Sequence, residues 1–259
     1  MVVADLHAHT TNSDGSLTLA TLPAAAREAG VEVVAVTDHD RLHPGLDEPV
    51  TDIDGVTVVH GIELRVDAGH EQIDLLGYGV RDTEALAAEL DRLQENRIER
   101  ARRIVSCVEK RLDVDLDVAF EPGVGRPHIA RAIAASPADY DYEGAFEHLI
   151  GGDCPCYEAR DVPDFERGRE LLAEACSVVG LAHPFRYDDP ERALALTDSL
   201  DAVELYYPYG GDVDLTPVEQ VAEEGDLLVT GGSDAHDERL GLAGLDREAY
   251  REFSEHLRG

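Results

Sequence analysis

The chain has 259 residues, and 22 Lys and Arg stand against 55 Asp and Glu for a formal net charge of −33. So acidic a surface excludes broad, duplex-wrapping nucleic-acid binding, which needs cations to displace phosphate counterions, and no apolar run is long enough to span a bilayer. The carboxylates are spread along the whole chain and do not form a tail, a pattern that reads as halophilic adaptation, because at molar salt a Debye length of roughly 3 Å screens the self-repulsion.

In chain order, the strands are expected at Val2–Leu6, Val33–Thr37, Val56–Glu63, Ile73–Gly77, Ser177–Ala182, Ala202–Tyr206 and Leu227–Gly231. Most are continuously apolar, as parallel strands covered on both faces are. Helical stretches fall between several of them, among them Leu19–Gly30, with Gly30 placed to cap its C-terminus, and Phe165–Cys176. Strand–helix alternation of this kind implies an α/β fold on a parallel sheet or barrel. Residues 83–156 break the rhythm. Glu84–Leu112 is charged, Arg-rich and helix-favouring, and Ile129–Ala135 and Tyr142–Leu149 also read as helical. A barrel over 1–82 and 157–259 with a helical insertion at 83–156 is therefore expected. The first strand begins almost at once, so no leader is expected ahead of it. The four cysteines, Cys107, Cys154, Cys156 and Cys176, are too few and too poorly spaced for a disulfide framework, and Cys154-Pro155-Cys156 reads as a pair of structural thiols rather than a soft-metal site. A soluble, cytoplasmic protein follows from these features.

The chemistry lies at the strand ends. His7 and His9 close the first strand and sit two apart, on one side of an extended backbone. Asp14 lies in the loop after them, and His39 ends the second strand in Thr37-Asp38-His39-Asp40. Glu63 and Asp74 follow at later strands, then His183 in Ala182-His183-Pro184 and finally Asp234 and His236 in Ser233-Asp234-Ala235-His236. In a parallel barrel the C-terminal strand ends meet on one face, so these imidazoles and carboxylates are the material of a multinuclear metal site. Asp38 and Asp40 are read as groups that fix loops. His43, His60, His148 and His256 are assigned no role. No Ser/His/Asp or Cys/His nucleophile arrangement competes, and no glycine-rich nucleotide-cofactor loop is present.

Taken in order, these motifs, together with Gly61-Ile62-Glu63 and with Gly125-Arg126-Pro127-His128 in the insertion, resemble the PHP (polymerase and histidinol phosphatase) family. The insertion resembles the branch acting on nucleoside 3′,5′-bisphosphates and on the 5′ ends of short RNAs. The resemblance implies a distorted seven-stranded, TIM-like (β/α)7 barrel holding three divalent metals, with Mn²⁺ expected and Zn²⁺ or Fe²⁺ as alternatives. It implies one metal on His7, His9, Glu63 and Asp234, a second on Glu63, His183 and Asp74, and a third on Asp14, His39 and His236. Asp74 departs from the branch, which usually has histidine there; a carboxylate shifts preference toward harder ions. His70, four residues earlier, is a substitute to consider. The metals would activate water as hydroxide for attack on phosphorus, with Arg126 and Arg186 clamping a phosphate and His128 touching phosphate or protonating the leaving group. The expected partner is a small phosphorylated metabolite, most of all a nucleotide of the 3′,5′-bisphosphate type. The alternatives are 5′→3′ trimming of short single-stranded RNA and a metal-binding module without catalysis.

Overall fold

Alternation along the second strand sorts its side chains into two cores. In the computed structural model, which describes residues 1–257, β1 (Ala4–Ala8) and β2 (Val33–Val36) are buried throughout. Val33 and Ala35 pack with Leu6, Tyr78 and Phe253, whereas Val34 and Val36 pack with Leu22 and Ala26 of α1 (Leu22–Ala29). A strand buried on both faces is what the continuous apolar run requires. Gly30 closes α1 at φ +73°, a left-handed position that glycine occupies without strain, and its N–H reaches the Ala26 and Arg27 carbonyls. The β1–β2 register shifts between Asp5 and Ala8. Ala8 packs on the α1 side, so His7 and His9, on either side of it, point the opposite way.

Three further strands follow: β3 (Val50–Ile53), β4 (Val56–Asp67) and β5 (Gln72–Tyr78). β3 was not among the strands expected. It is half-exposed and pairs antiparallel with β4 through a two-residue turn, Asp54-Gly55, both at positive φ. Asp-Gly is the dipeptide such a turn favours. Glu63 is not at a strand end, because β4 continues to Asp67. Its first half pairs with β2 and its second half with β5. β5 corrects the expectation of a parallel sheet, since it runs antiparallel to β4 and also to β6 (Val178–Leu181). Only four residues, 68–71, separate β4 from β5, too few for the crossover that parallel strands need. Reversal brings the start of β5, with Asp74, level with the sites on β4, and Asp74 pairs in register with Arg65.

After β5 come α2 (Glu84–Leu112), α3 (Arg126–Ala135), α4 (Tyr142–Ala145) and α5 (Phe165–Ala175). Past β6 the chain resumes strand–helix alternation through α6 (Pro190–Leu194), β7 (Ala202–Tyr206), α7 (Thr216–Gly225), β8 (Leu228–Gly231) and α8 (Arg247–His256). The sheet order is β1-β2-β4-β5-β6-β7-β8, with β3 off that path. A bridge between Ala8 and Ala235, with the His9 N–H donating to the Ala235 carbonyl, ties the segment after β8 to the end of β1. Among the described residues no helix is long and apolar enough to cross a membrane.

The chain divides into one unit over 1–87 and 162–259 and a second over 88–161. The second has its own core, including Ile104, Val108, Ile129, Ile133, Leu149 and Ile150. There Cys107 of α2 is bonded to Cys156, which corrects the reading of Cys156 as a thiol. A contact across a separation of 49 residues is set by packing and leaves no local signal. Cys154 keeps its thiol on the Glu147 carbonyl, and burial pushes the Cys176 thiol up to about 12. Closing a loop of that length stabilises by at most about 4 kcal/mol. Reduction, or Cys107→Ser, is therefore expected to lower the thermal midpoint in a scan with and without reductant; an unchanged midpoint would refute the bond's contribution.

Candidate metal centre

Glu63 stands at the middle of the first unit's polar cluster. It is 1% exposed, and its two oxygens face different neighbours. Oε2 lies 2.7 Å from His39 Nδ1, 3.3 Å from His9 Nε2 and 3.5 Å from His7 Nε2. Oε1 lies 3.0 Å from His183 Nε2. Asp234 Oδ1 completes a first set at 3.1 Å from His9 Nε2 and 3.5 Å from His7 Nε2. Separations of this size match the edges, about 3.4 Å, of a tetrahedron with bonds of about 2.1 Å. A second set brings His183 Nε2 within 3.8 Å of Asp74 Oδ2. A third joins Asp14 Oδ1 to His236 Nε2 at 3.4 Å and to His39 Nε2 at 3.9 Å. His9 adjoins that set as well, its ring 4.2 Å from His236 and 4.4 Å from His39. In each grouping His and carboxylate atoms lie within 4.8 Å of one another. All nine residues expected as ligands are thus brought together.

The positioning groups decide which lone pairs face inward. Glu204, fully buried on β7, accepts from His7 Nδ1 at 3.0 Å and from the His183 backbone N–H at 2.8 Å. With its proton on Nδ1, His7 turns a bare Nε2 toward two carboxylates, and that atom has no hydrogen-bond partner. His9 and His183 face the carboxylates through Nε2, at 3.1 Å from Asp234 Oδ1 and 3.0 Å from Glu63 Oε1. Lone pairs packed against lone pairs need a positive charge among them. In the metal-free chain protons meet that need. Burial would push His7 down, but Glu204, Asp234 and Glu63 together hold it well above the usual imidazole range. Burial would push Glu63 up, yet the His39 and His7 imidazoles hold it well below the usual carboxylate range. Divalent cations fit the same demand, and the donor set suits them.

Asp38 and Asp40 do fix loops. Asp38 accepts from the Thr10 N–H and hydroxyl, both at 2.7 Å, and from Ser13 Oγ at 2.8 Å, which holds the loop leading to Asp14. Asp40 accepts from the Arg65 backbone N–H at 3.0 Å. Asp5 does the same for the far ligands, accepting from the N–H groups of Ser233 and Gly241 at 2.8 Å. His183 and Asp234 sit at φ +26° and +49°, strained values for their side chains that surrounding bonds must enforce. His70 joins none of these groups; its Nδ1 bonds the Ala68 carbonyl.

Among the expected substrate contacts, Arg186 lies at the cluster's edge. Its side chain is 54% exposed, and its guanidinium donates from Nη1 to Asp234 Oδ2 at 3.1 Å and to Tyr207 Oη at 2.8 Å. Arg126 and His128 belong to the second unit. Arg126 reaches the Ile150 carbonyl and lies over the Phe146 and Tyr157 rings, and His128 Nδ1 accepts from the Gly125 N–H at the start of α3. Their assignment to a substrate rests on the sequence motif alone.

Sequence reasoning missed Glu204, Asp5, Tyr207 and Arg65. For Glu204 and Asp5 a signal was present, since a carboxylate inside an apolar buried strand needs a buried partner. Tyr207 and Arg65 gave none.

A model of the PHP domain matches residues 5–174. The 3′,5′-nucleoside bisphosphate phosphatase of Chromobacterium violaceum is 30% identical over 197 residues, spanning 73% of this chain and 69% of its own. The 5′-3′ exoribonuclease Rnm of Escherichia coli is 28% identical over 259 residues, spanning 91% of this chain and 85% of its own. A crystal structure from Bifidobacterium adolescentis, assigned by inference as a metal-dependent phosphoesterase, superposes with a TM-score of 0.81 at 23% identity. It covers 98% of this chain and 96% of its own, a likeness that establishes the fold.

Proposed function

The chain belongs to the PHP domain family and is a metal-dependent phosphoesterase, and from that premise we propose that it removes a phosphate from a small nucleotide of the 3′,5′-bisphosphate kind. One observation carries the reading: histidines and carboxylates from five strands or strand ends converge around Glu63, and His7 turns an inward Nε2 without a hydrogen-bond partner toward them. His7, His9, Glu63 and Asp234 would hold one cation, and Asp14, His39 and His236 another, with Mn²⁺ the best candidate and Zn²⁺ or Fe²⁺ alternatives. Such cations, when bound, supply Lewis acidity toward phosphoryl oxygens and lower the pKa of water. The chain's own part is positional. Glu204 sets the His7 tautomer, Glu63 links the donor groups, and Asp38 and Asp5 lock the loops that present Asp14 and Asp234. Arg186, exposed and oriented by Tyr207 and Asp234, is placed to grip a phosphate oxygen.

The bisphosphate reading is supported by the Chromobacterium violaceum relative. Trimming of short RNA from its 5′ end is the second reading, supported by the relative from Escherichia coli. The test is phosphate release by the Mn²⁺-loaded chain in high salt, offered a nucleoside 3′,5′-bisphosphate, a short 5′-phosphorylated RNA and histidinol phosphate. Release from the bisphosphate, lost in His7→Ala, is expected; release of nucleotides from RNA would move the assignment to exonuclease. Inactivity on all three, with metal bound and the fold intact, would favour a metal-binding module without catalysis.

We place the activity in a high-salt cytoplasm, on the strength of the net charge of −33. The Cys107–Cys156 bond requires that this cytoplasm leave the disulfide oxidised. Raising KCl from about 0.1 M to molar concentration should screen the carboxylates and raise the thermal midpoint by about 5 °C or more, equivalent to about 2 kcal/mol. A flat or falling midpoint would refute the salt adaptation.

A further inference from the structure

The donor group around Asp74 differs from the other two in one respect: a cation is already there. Arg65 projects from β4 opposite Asp74 of β5 and clamps it in a fork, with Nε on Oδ1 and Nη2 on Oδ2 at 2.5 Å each. Asp74 is 1% exposed, and this pair takes both of its oxygens. The first donor group leaves His7 Nε2 buried without a partner, whereas neither Asp74 oxygen is among the unpartnered buried atoms. The remaining donors beside Asp74 are Glu63 Oε1 and His183 Nε2, which face each other at 3.0 Å. Tyr187 Oη accepts from the Asp74 backbone N–H at 2.8 Å and closes another side.

From this arrangement, and resting on the phosphoesterase reading above, we propose that the Arg65 guanidinium replaces the divalent cation that Glu63, His183 and Asp74 would otherwise hold. The chain then carries two metals per site and a fixed organic cation at the third position. Electrostatics favours this outcome. A divalent ion on Asp74 would stand beside a guanidinium in a nearly dry pocket, where like charges repel strongly. Arg65 cannot relieve the conflict by losing its proton. It also cannot activate water as a metal does; its contribution is charge and hydrogen bonds. Its Nη1 makes no hydrogen bond among the described residues, and the side chain is 27% exposed. The geometry therefore offers that edge of the fork to a phosphate oxygen, the pairing for which guanidinium is best shaped.

Counting metal decides the matter without reference to turnover. The Mn²⁺-loaded chain, passed through a desalting column, should hold two ions by plasma mass spectrometry. Arg65→Ser frees the Asp74 carboxylate and should raise the count to three, as should Arg65→Ser combined with Asp74→His. Three ions in the unaltered chain would overturn the proposal, and so would a count of two in a folded Arg65→Ser variant. Where the double variant does not fold, the single variant carries the test. Inorganic phosphate, titrated against the Mn²⁺-loaded chain by calorimetry, should bind at least about tenfold more weakly to Arg65→Ser, the loss of one charge-assisted contact. Unchanged phosphate affinity would remove Arg65 from the substrate site. If no substrate in the panel is hydrolysed while the counts come out as two and three, the phosphoesterase assignment fails and the metal replacement stands.

Discussion

Glu63→Gln is expected to abolish phosphate release, lowering kcat by about 10³-fold or more, the scale on which loss of a metal-organising charge removes transition-state stabilisation. The reason is the reach of a single carboxylate. Oε2 faces His7, His9 and His39, and Oε1 faces His183. A glutamine keeps the volume and one oxygen but replaces the other with an NH2 group that donates hydrogens and cannot ligate. It also removes the negative charge that holds the surrounding imidazoles and cations together. Metal content should fall with activity, read by plasma mass spectrometry on the same sample, while circular dichroism reports an intact fold. A Glu63→Gln variant with full metal content and kcat within about tenfold of the unaltered chain would remove Glu63 from the centre of the site, because one ligand lost from a shared position must cost more than that.

Glu204→Ala is expected to weaken metal binding 10–100-fold, roughly the effect of deleting a group that orients a histidine ligand. Glu204 touches no substrate in this reading; it is a positioning residue acting through His7 and through the backbone at His183. Truncation leaves the His7 Nδ1–H and the His183 N–H buried with no acceptor, which should also destabilise the fold by about 1–3 kcal/mol for each group. The readout that separates positioning from bulk destabilisation is metal affinity at saturating folded fraction. Calorimetric Kd for Mn²⁺ should rise in Glu204→Ala and largely recover in Glu204→Gln, whose amide oxygen still accepts from His7. An alanine variant that loses stability but keeps its Kd would make Glu204 a core residue only.

Most of the candidate site was legible because its residues break a rule. Histidines and carboxylates at the ends of apolar strands, such as Val33–Val36 before His39 or Val178–Leu181 before His183, cannot be there for burial alone. The same logic reached neither Glu204 nor Asp5, although both interrupt apolar strands, because the rule was applied at strand ends and not within them. Two features of the sheet were also written locally. Four residues between β4 and β5 require an antiparallel pair, and Asp54-Gly55 marks the hairpin that makes β3. Both are short-range signals of chain reversal.

Taken alone, the amino-acid order determined that strands alternate with helices, that a helical stretch interrupts them, and that nine titratable residues, most of them at strand ends, are candidates for one site. Each of these rests on local chemistry: side-chain period, cap residues, and the cost of burying charge. Tertiary structure alone decided which of those residues face one another. The β4–β5 register sets Arg65 against Asp74 and so turns a candidate ligand into half of an ion pair. Packing in the second unit joins Cys107 to Cys156, and the return of β7 brings Glu204 under His7. Contacts of this kind depend on distances of a few ångströms between segments far apart in the chain, and no local preference of either segment encodes them.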